Sequence, residues 1–246
     1  MKNAIQSLVS VISIMLASTY TLSAEPIYYE AFYPKAKQRL PAVILLHTSS
    51  GFKSIRRQIP KYRNAGYVVY APDFFRRHKL SYGNRFETWT TYRRSIEAEL
   101  TELVQVVKKD RRVDSRNIFA VGFSNGGYWA SFLAAKRFIN ASASHYGVWS
   151  WPQRHGFVGF PANYFSLRSN PVLALHGDAD SIQRSKFVFH QLERAKKRSP
   201  RFRTYIFKNV GHSWDCIPCT RDGFDHMVTR KSLSRTLRFF KNNTIR

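Results

Sequence analysis

A glycine-rich stretch in the middle of the chain has the residue types and spacing of a turn that presents a serine nucleophile. The stretch 122–127 reads GFSNGG, follows the apolar run Ile118–Val121 and precedes a helical pattern. In a G-x-S-x-G turn between a strand and a helix, the positions that flank the serine tolerate almost no side chain. We therefore predict that Ser124 projects from the end of a strand. The backbone N–H of Asn125 would then point to the place where an oxyanion forms.

A serine hydroxyl needs a nearby base and a third group that orients the base. In this arrangement the acid and then the histidine follow the serine along the chain. The buried-strand pattern Pro171–Leu175 leads to Asp178 and Asp180, and the pattern Arg203–Phe207 leads to His212. We predict His212 as the general base and Asp180 as the orienting acid, with Asp178 as the alternative acid. An aspartate in this place would also suit a helix N-cap.

The loop after an early strand is expected to supply a second oxyanion donor. The run Pro41–Leu46 leads into the polar loop His47–Phe52. We choose the backbone N–H of Ser49 as this donor, and an ordinary Ser/Gly loop is the alternative.

Taken together, these segments resemble the α/β-hydrolase fold and, within it, the dienelactone hydrolase family. The resemblance rests on HTSSG at 47–51, APD at 71–73, GFSNGG at 122–127, SHYG at 144–147, HGDAD at 176–180 and GHS at 211–213. It covers nearly the whole chain after about residue 25. The resemblance implies hydrolysis of a small-molecule ester or lactone, with no metal and no organic cofactor.

Three positions depart from the best-known members of that family. Those members use cysteine where this chain has Ser124, and they have an acidic residue where this chain has Thr48. They also place an arginine shortly after the catalytic histidine to hold the substrate carboxylate, where this chain reads WDCI at 214–217. These departures favour a general ester or lactone over dienelactone itself.

The length and pattern of the chain predict one α/β domain, residues 25–246, with no large lid domain. Continuous apolar runs predict strands that are buried on both faces of a mostly parallel sheet. These runs are Val43–Leu46, Tyr67–Tyr70, Ile118–Val121, Val172–Leu175 and Tyr205–Phe207. The intervening helical patterns are Ser54–Ala65, Thr88–Lys109, Asn125–Arg137, Ile182–Arg198 and Phe224–Asn242. Their alternation predicts helices on both faces of the sheet.

Two regions are candidates for substrate binding. The connection Gly147–Asn170 is rich in aromatic residues, and we expect Trp149 and Trp151 either to line an acyl or aryl pocket or to cover the edge of the sheet. Arg85, in a basic stretch after a strand, could pair with a substrate carboxylate or phosphate. It would equally suit a solvated surface.

The first 24 residues have the pattern of a signal peptide. Lys2 supplies a basic start, residues 5–17 are mainly apolar, and Leu22–Ala24 ends in a small-residue cleavage site. The apolar part is too short and too polar to predict a membrane span. We therefore expect export to the periplasm or the medium, with a mature chain that begins near Glu25.

Cys216 and Cys219 are the two cysteines of the chain and read CIPC. In an exported protein, such a close pair predicts a disulfide that constrains the loop after His212. Free thiols are one alternative, and a zinc site completed by His226 or Asp215 is another, although a structural zinc site normally has four clear ligands.

The chain is strongly basic, with a formal net charge of +25. Such a field attracts polyanions non-specifically, but no module typical of specific nucleic-acid binding accompanies it. Two alternatives to an esterase stay open at this point. One is a peptidase or acyltransferase that uses the same residues, and the other is a cationic envelope- or nucleic-acid-binding protein on a hydrolase scaffold. The oligomeric state is not predicted.

Overall fold

A seven-stranded sheet organises the part of the chain that the computed structural model describes, residues 27–150, 161–216 and 224–246. The strands are β1 (Tyr29–Phe32), β2 (Leu40–Leu46), β3 (Val68–Pro72), β4 (Val113–Phe123), β5 (Ala141–His145), β6 (Val172–Gly177) and β7 (Phe202–Phe207). Their order across the sheet is β1-β3-β2-β4-β5-β6-β7. The first strand is antiparallel to β3, and all other pairs are parallel.

Helices cover both faces of this sheet. They are α1 (Ile59–Asn64), α2 (Arg93–Lys109), α3 (Asn125–Ala135), α4 (Ser185–Arg198) and α5 (His226–Asn242), with short 3₁₀ turns at Phe52–Ile55, Arg85–Trp89 and Pro161–Tyr164. Buried residues of α2, α3 and α4 pack on one face, and those of α1 and α5 pack on the other.

The sheet has one hydrophobic core on each face, and the side chains of β2 point alternately into one core and the other. Ala42, Ile44 and Leu46 contribute to the first core, whereas Val43 and Leu45 contribute to the second, and all five are fully buried. A strand buried on both faces is therefore apolar at every position, which is the reason for the continuous runs in the sequence. The predicted mostly parallel α/β sheet with two helical layers is confirmed.

Several element boundaries differ from the predicted ones. Strand β1 was not predicted, because a short, partly exposed edge strand carries no apolar run. The predicted helix from Ser54 is interrupted: a 3₁₀ turn comes first, and α1 begins at Ile59 with Pro60 in its first turn. Likewise, α2 begins at Arg93 instead of Thr88, because a 3₁₀ turn precedes it.

No helix of the described ranges is long and apolar enough to cross a membrane. The predicted signal peptide, residues 1–24, lies outside the described residues.

Candidate functional site

Ser124 lies on a strained turn between β4 and α3. It has a positive φ of 51° with ψ −110°, which is unusual for a residue with a side chain. Two of the backbone hydrogen bonds of this turn reach the ends of neighbouring strands: Ser124 N–H donates to the His145 carbonyl at 3.0 Å, and Gly126 N–H donates to the His47 carbonyl at 2.9 Å. The nucleophile position is thereby tied to the ends of β2 and β5.

Glycines are required on both sides of this serine. A Cβ atom at Gly122 would lie 1.9 Å from the carbonyl oxygen of Gly126. One at Gly126 would lie 2.2 Å from the carbonyl oxygen of Leu46. Both distances are far inside van der Waals contact, so a larger residue would force the strand and helix apart. This explains the G-x-S-x-G spacing.

Three side chains from distant loops form a chain of hydrogen bonds. His212 Nε2 lies 3.0 Å from Ser124 Oγ, and His212 Nδ1 lies 2.7 Å from Asp180 Oδ2. In the neutral tautomer with a proton on Nδ1, the imidazole donates a hydrogen bond to the carboxylate, and Nε2 accepts a hydrogen bond from the serine hydroxyl. All three residues are buried, and Ser124 retains 9% of its surface exposed. The geometry is suitable for transfer of the serine proton to the imidazole.

The structure brings Asp180, and not Asp178, into this chain. Oδ1 of Asp180 accepts the backbone N–H groups of Ile182 at 2.9 Å and Gln183 at 2.7 Å, which leaves Oδ2 directed to the histidine. The alternative acid, Asp178, accepts the backbone N–H of Asn209 at 2.6 Å. Helix α4 begins only at Ser185, so Asp180 stabilises the loop before it and does not cap the helix.

A second buried histidine also contacts the carboxylate of Asp180. His176 Nε2 lies 3.2 Å from Asp180 Oδ2 and 3.2 Å from the Gln183 carbonyl oxygen. Burial lowers the pKa of His176 to about 4, against the opposing charge of Asp180, so its imidazole is neutral near pH 7. Because both neighbours are acceptors, Nε2 carries the proton.

The loop His47–Phe52 lies beside the serine turn, and three of its backbone N–H groups donate hydrogen bonds within or next to the loop. Thr48 N–H donates to Ser54 Oγ at 3.1 Å, Ser50 N–H to Thr48 Oγ1 at 3.0 Å and Gly51 N–H to the Thr48 carbonyl at 3.1 Å. Within the described ranges, the backbone N–H of Ser49 has no protein acceptor. This amide is therefore free to receive an oxyanion.

Asn125 connects this loop to α3. It is the first residue of that helix, where backbone N–H groups have no intrahelical acceptor. Its side-chain Nδ2 lies 3.4 Å from Ser49 Oγ and 3.3 Å from Thr88 Oγ1, so the amide holds the loop against the helix. The residue is fully buried.

The predicted substrate-binding residues lie in different surroundings. The indole of Trp149 is 1% exposed and packs on Phe165 and Phe202, as a core side chain does. The guanidinium of Arg85 lies over the rings of Tyr82 and Phe86 and donates to the Tyr82 carbonyl. Trp151 lies outside the described residues. Contacts between these residues and a substrate stay predictions.

Gln183 is a buried residue that the sequence did not single out. Its Oε1 accepts the backbone N–H groups of Trp149 and Ser150, each at 3.3 Å, while its own N–H donates to Asp180. It therefore connects the acid to the start of the connection after β5. A glutamine in a polar loop carries no sequence signal for such a role, whereas His176 lies within the HGDAD segment.

The described residues contain no group of three or more His, Cys, Asp or Glu side chains arranged to hold a metal ion. Cys216 is described and Cys219 is not, so the disulfide and its alternatives stay predictions.

Comparisons with known proteins identify the family and the fold of the chain. A sequence model of the dienelactone hydrolase family matches residues 29–244. A candidate dienelactone hydrolase from Klebsiella pneumoniae subsp. pneumoniae has a similar structure, with 18% identity, coverage of 87% of this chain and 92% of that chain, and a TM-score of 0.74. Esterase 2 from Thermogutta terrifontis has 17% identity, coverage of 87% and 88%, and a TM-score of 0.70.

A third similar structure is the dienelactone hydrolase-like promiscuous phosphotriesterase P91 from metagenomic libraries, with 16% identity, coverage of 87% and 92%, and a TM-score of 0.66. At these identities the structures show a shared fold. A search of curated protein sequences found no significant match. The family match spans nearly all of the described sheet, and the chain therefore belongs to the dienelactone hydrolase family and is a hydrolase with the α/β-hydrolase fold.

Proposed function

We propose that this protein is an exported serine hydrolase that cleaves small carboxylic esters or lactones. The observation that carries the proposal is the hydrogen-bonded chain from Ser124 Oγ through His212 to Asp180. Membership of a hydrolase family and a buried, strained serine turn support the same conclusion.

Catalysis would begin with proton transfer from Ser124 to Nε2 of His212 as the hydroxyl oxygen attacks the ester carbonyl. The imidazolium that forms is stabilised by Asp180, which holds Nδ1. The N–H groups of Asn125 and Ser49 would receive the oxyanion of the tetrahedral intermediate. His212 then protonates the leaving alcohol, and an acyl group remains on Ser124.

Deacylation repeats these steps with water. His212 removes a proton from a water molecule, the resulting hydroxide attacks the acyl carbonyl, and the second tetrahedral intermediate collapses to release the acid and restore the Ser124 hydroxyl. For a lactone, the alcohol and the acid are parts of one product molecule. Each proton that leaves a nucleophile is returned to a leaving group, so no external acid or base is consumed.

Labelling with a fluorophosphonate serine probe tests the proposal. Wild-type protein should be labelled, and Ser124→Ala and His212→Ala should not, while an ester and lactone panel should give turnover only with wild type. A folded wild-type protein that is neither labelled nor active on any panel member would contradict the proposal. N-terminal sequencing of exported material should begin near Glu25, and a start at Met1 would contradict export.

Non-specific adhesion to polyanions is a second expected property of the surface. Among the described residues, Lys and Arg form ion pairs within 4 Å only at Arg93–Glu97, Arg112–Asp110, Arg116–Asp114 and Lys196–Glu193. Most of the basic charge therefore has no adjacent carboxylate. Binding to heparin or DNA should weaken steeply with added salt and should show no sequence preference.

A further inference from the structure

A second carboxylate lies close behind His212. Asp215 follows it by three residues, and its two oxygens accept hydrogen bonds from different elements. Oδ1 lies 2.5 Å from the hydroxyl of Tyr146, after β5, and Oδ2 lies 2.7 Å from Nε2 of Gln58, before α1. Asp215 is a partly buried carboxylate that accepts hydrogen bonds from side chains of two separate parts of the polypeptide. It is not part of the hydrogen-bonded series Ser124–His212–Asp180.

Tyr146 connects this carboxylate to the imidazole. Its ring packs edge-on against His212, with centroids 4.8 Å apart, and against Trp214 at 4.7 Å. Tyr146 has a positive φ of 37°, an uncommon conformation for a residue with a large side chain. Its N–H donates to the Leu175 carbonyl at 2.8 Å, which holds it in place. The hydroxyl bond to Asp215 then determines the direction in which the ring points.

Several charged and titratable groups lie around Asp215, and burial outweighs the groups that would lower its pKa. Burial raises the pKa of Asp215, and the Tyr146 hydrogen bond and the charge of Lys61 oppose that rise. Lys61 is itself partly desolvated, which lowers its pKa, and no described cation lies within 4 Å of the carboxylate. His212 Nδ1 lies 2.7 Å from Asp180, whose carboxylate also contacts the neutral His176. The hydroxyl groups of Tyr146 and Tyr62 both have pKa values raised by burial and stay neutral.

We propose that Asp215 is a positioning residue for His212. It holds the ring of Tyr146, which packs against the imidazole and so fixes the orientation of His212. The negative charge of Asp215 also stabilises the imidazolium that forms during each proton transfer. The proposal rests on the proposed function, in which His212 is the general base. It assigns to the segment after His212 a role in proton transfer.

Asp215→Asn tests this proposal with little change of shape. The asparagine Oδ1 can still accept from Gln58, and its amide can donate to the Tyr146 hydroxyl, so the charge is lost while the packing is kept. Asp178→Asn is the matched control, because it removes one carboxylate from the same edge of the sheet without touching Tyr146. Unfolding midpoints of both variants establish that each is folded.

The primary readout is the ¹H–¹⁵N NMR titration of the His212 ring, assigned by comparison with His212→Gln. In Asp215→Asn the titration midpoint should move down by about half a pH unit or more, because a nearby negative charge favours the protonated ring. Asp178→Asn should leave the midpoint in place. An unchanged midpoint in Asp215→Asn, or an equal shift in the control, would overturn the proposal.

Ester kinetics provide the second readout. In Asp215→Asn, kcat should fall about tenfold with KM nearly unchanged, and the acid limb of kcat/KM should move to lower pH. A change in KM alone would mean a merely structural role and would overturn the proposal. If wild-type protein hydrolyses no ester and takes no probe, the proposed function fails, whereas the NMR titration still decides whether Asp215 acts on His212.

Discussion

The Nε2 atom of His176 lies 3.2 Å from Oδ2 of Asp180, the same oxygen that lies 2.7 Å from Nδ1 of His212. The backbone N–H groups of Ile182 and Gln183 donate to its other oxygen, Oδ1, so four nitrogen atoms lie within 3.2 Å of this carboxylate. A carboxylate has two oxygens, each with lone pairs for about two donors, so nitrogen atoms can approach both of them. The surrounding loop and the two histidines thus fix the orientation of the Asp180 carboxylate through nitrogen atoms placed at both of its oxygens.

The buried histidines predict how stability depends on pH. Burial lowers the pKa of His176 to about 4 and that of His145 to about 3, whereas an unfolded histidine has a pKa of about 6.5. Below pH 6.5 the unfolded chain therefore binds protons that the folded chain does not. The free energy of unfolding should fall with falling pH, by up to about 1.4 kcal/mol per pH unit for each histidine.

Urea unfolding between pH 7 and pH 4.5 measures this slope. His145→Gln, which can keep the contact to the Thr236 hydroxyl, should show a shallower dependence than wild type. A wild-type free energy of unfolding that does not change across this range would contradict the prediction.

Substitution of Asp180 and of Asp178, each by asparagine, distinguishes the roles of the two candidate acids. Asp180→Asn should lower kcat by roughly a thousandfold or more, because the amide no longer stabilises the imidazolium and favours the wrong tautomer. Asp178→Asn, whose oxygen can still accept the Asn209 N–H, should retain activity within about twofold of wild type, a difference below about 0.5 kcal/mol. Steady-state kinetics on the best ester measures both variants, and an equal loss in both would show that the acid has been assigned wrongly.

Gly126→Ala tests the close approach between the serine turn and β2. The added Cβ would lie 2.2 Å from the Leu46 carbonyl oxygen, so we expect a loss of more than about 4 kcal/mol in the free energy of unfolding, or no folded protein. Gly83→Ala is the control, because its Cβ would meet only Ser81 Oγ at 3.6 Å, an ordinary contact. Thermal unfolding compares the two, and similar midpoints would mean that the turn is more adaptable than its geometry indicates.

Gln183→Ala tests the connection between the acid and the segment after β5. The variant removes the acceptor of the Trp149 and Ser150 N–H groups but keeps the backbone bond to Asp180. Leaving buried donors unpaired costs about 1–3 kcal/mol, so we expect the start of that segment to loosen and KM to rise several-fold, with a smaller change in kcat. Gln191→Ala, a buried glutamine of α4, should leave KM unchanged. Equal kinetics in both variants would remove Gln183 from the site.

The sequence predicted the fold class and the side chains that meet near Ser124 for one physical reason. Each of Ser124, Asp180 and His212 follows a strand, and parallel strands end at the same edge of a sheet, so chain order alone brings them together. Their placement within hydrogen-bond distance is observed, while their catalytic roles stay predictions.

The contributions of His176, Gln183 and Asp215 could not be predicted in this way. Gln183 and Asp215 contact segments that are distant in sequence, as Asp215 does with Gln58, 157 residues away, and the contact of His176 with Asp180 depends on how the short loop between them folds. Polar residues in loops look alike in a sequence, and only the folded chain shows which of them have partners. Strand β1 was missed for a similar reason, since its pairing with β3 rests on backbone groups and not on an apolar pattern.

The separation of Ser124 from His212 along the chain, 88 residues, has a consequence for protein synthesis. A ribosome releases the serine turn long before the histidine has been made, and β6, β7 and their loops must still join the sheet. In the proposed function His212 is the base, so until then the hydroxyl would be unable to attack an acyl group. On that proposal, incomplete chains would carry an inert serine, and reactivity would arise only when nearly the whole polypeptide has been completed and folded.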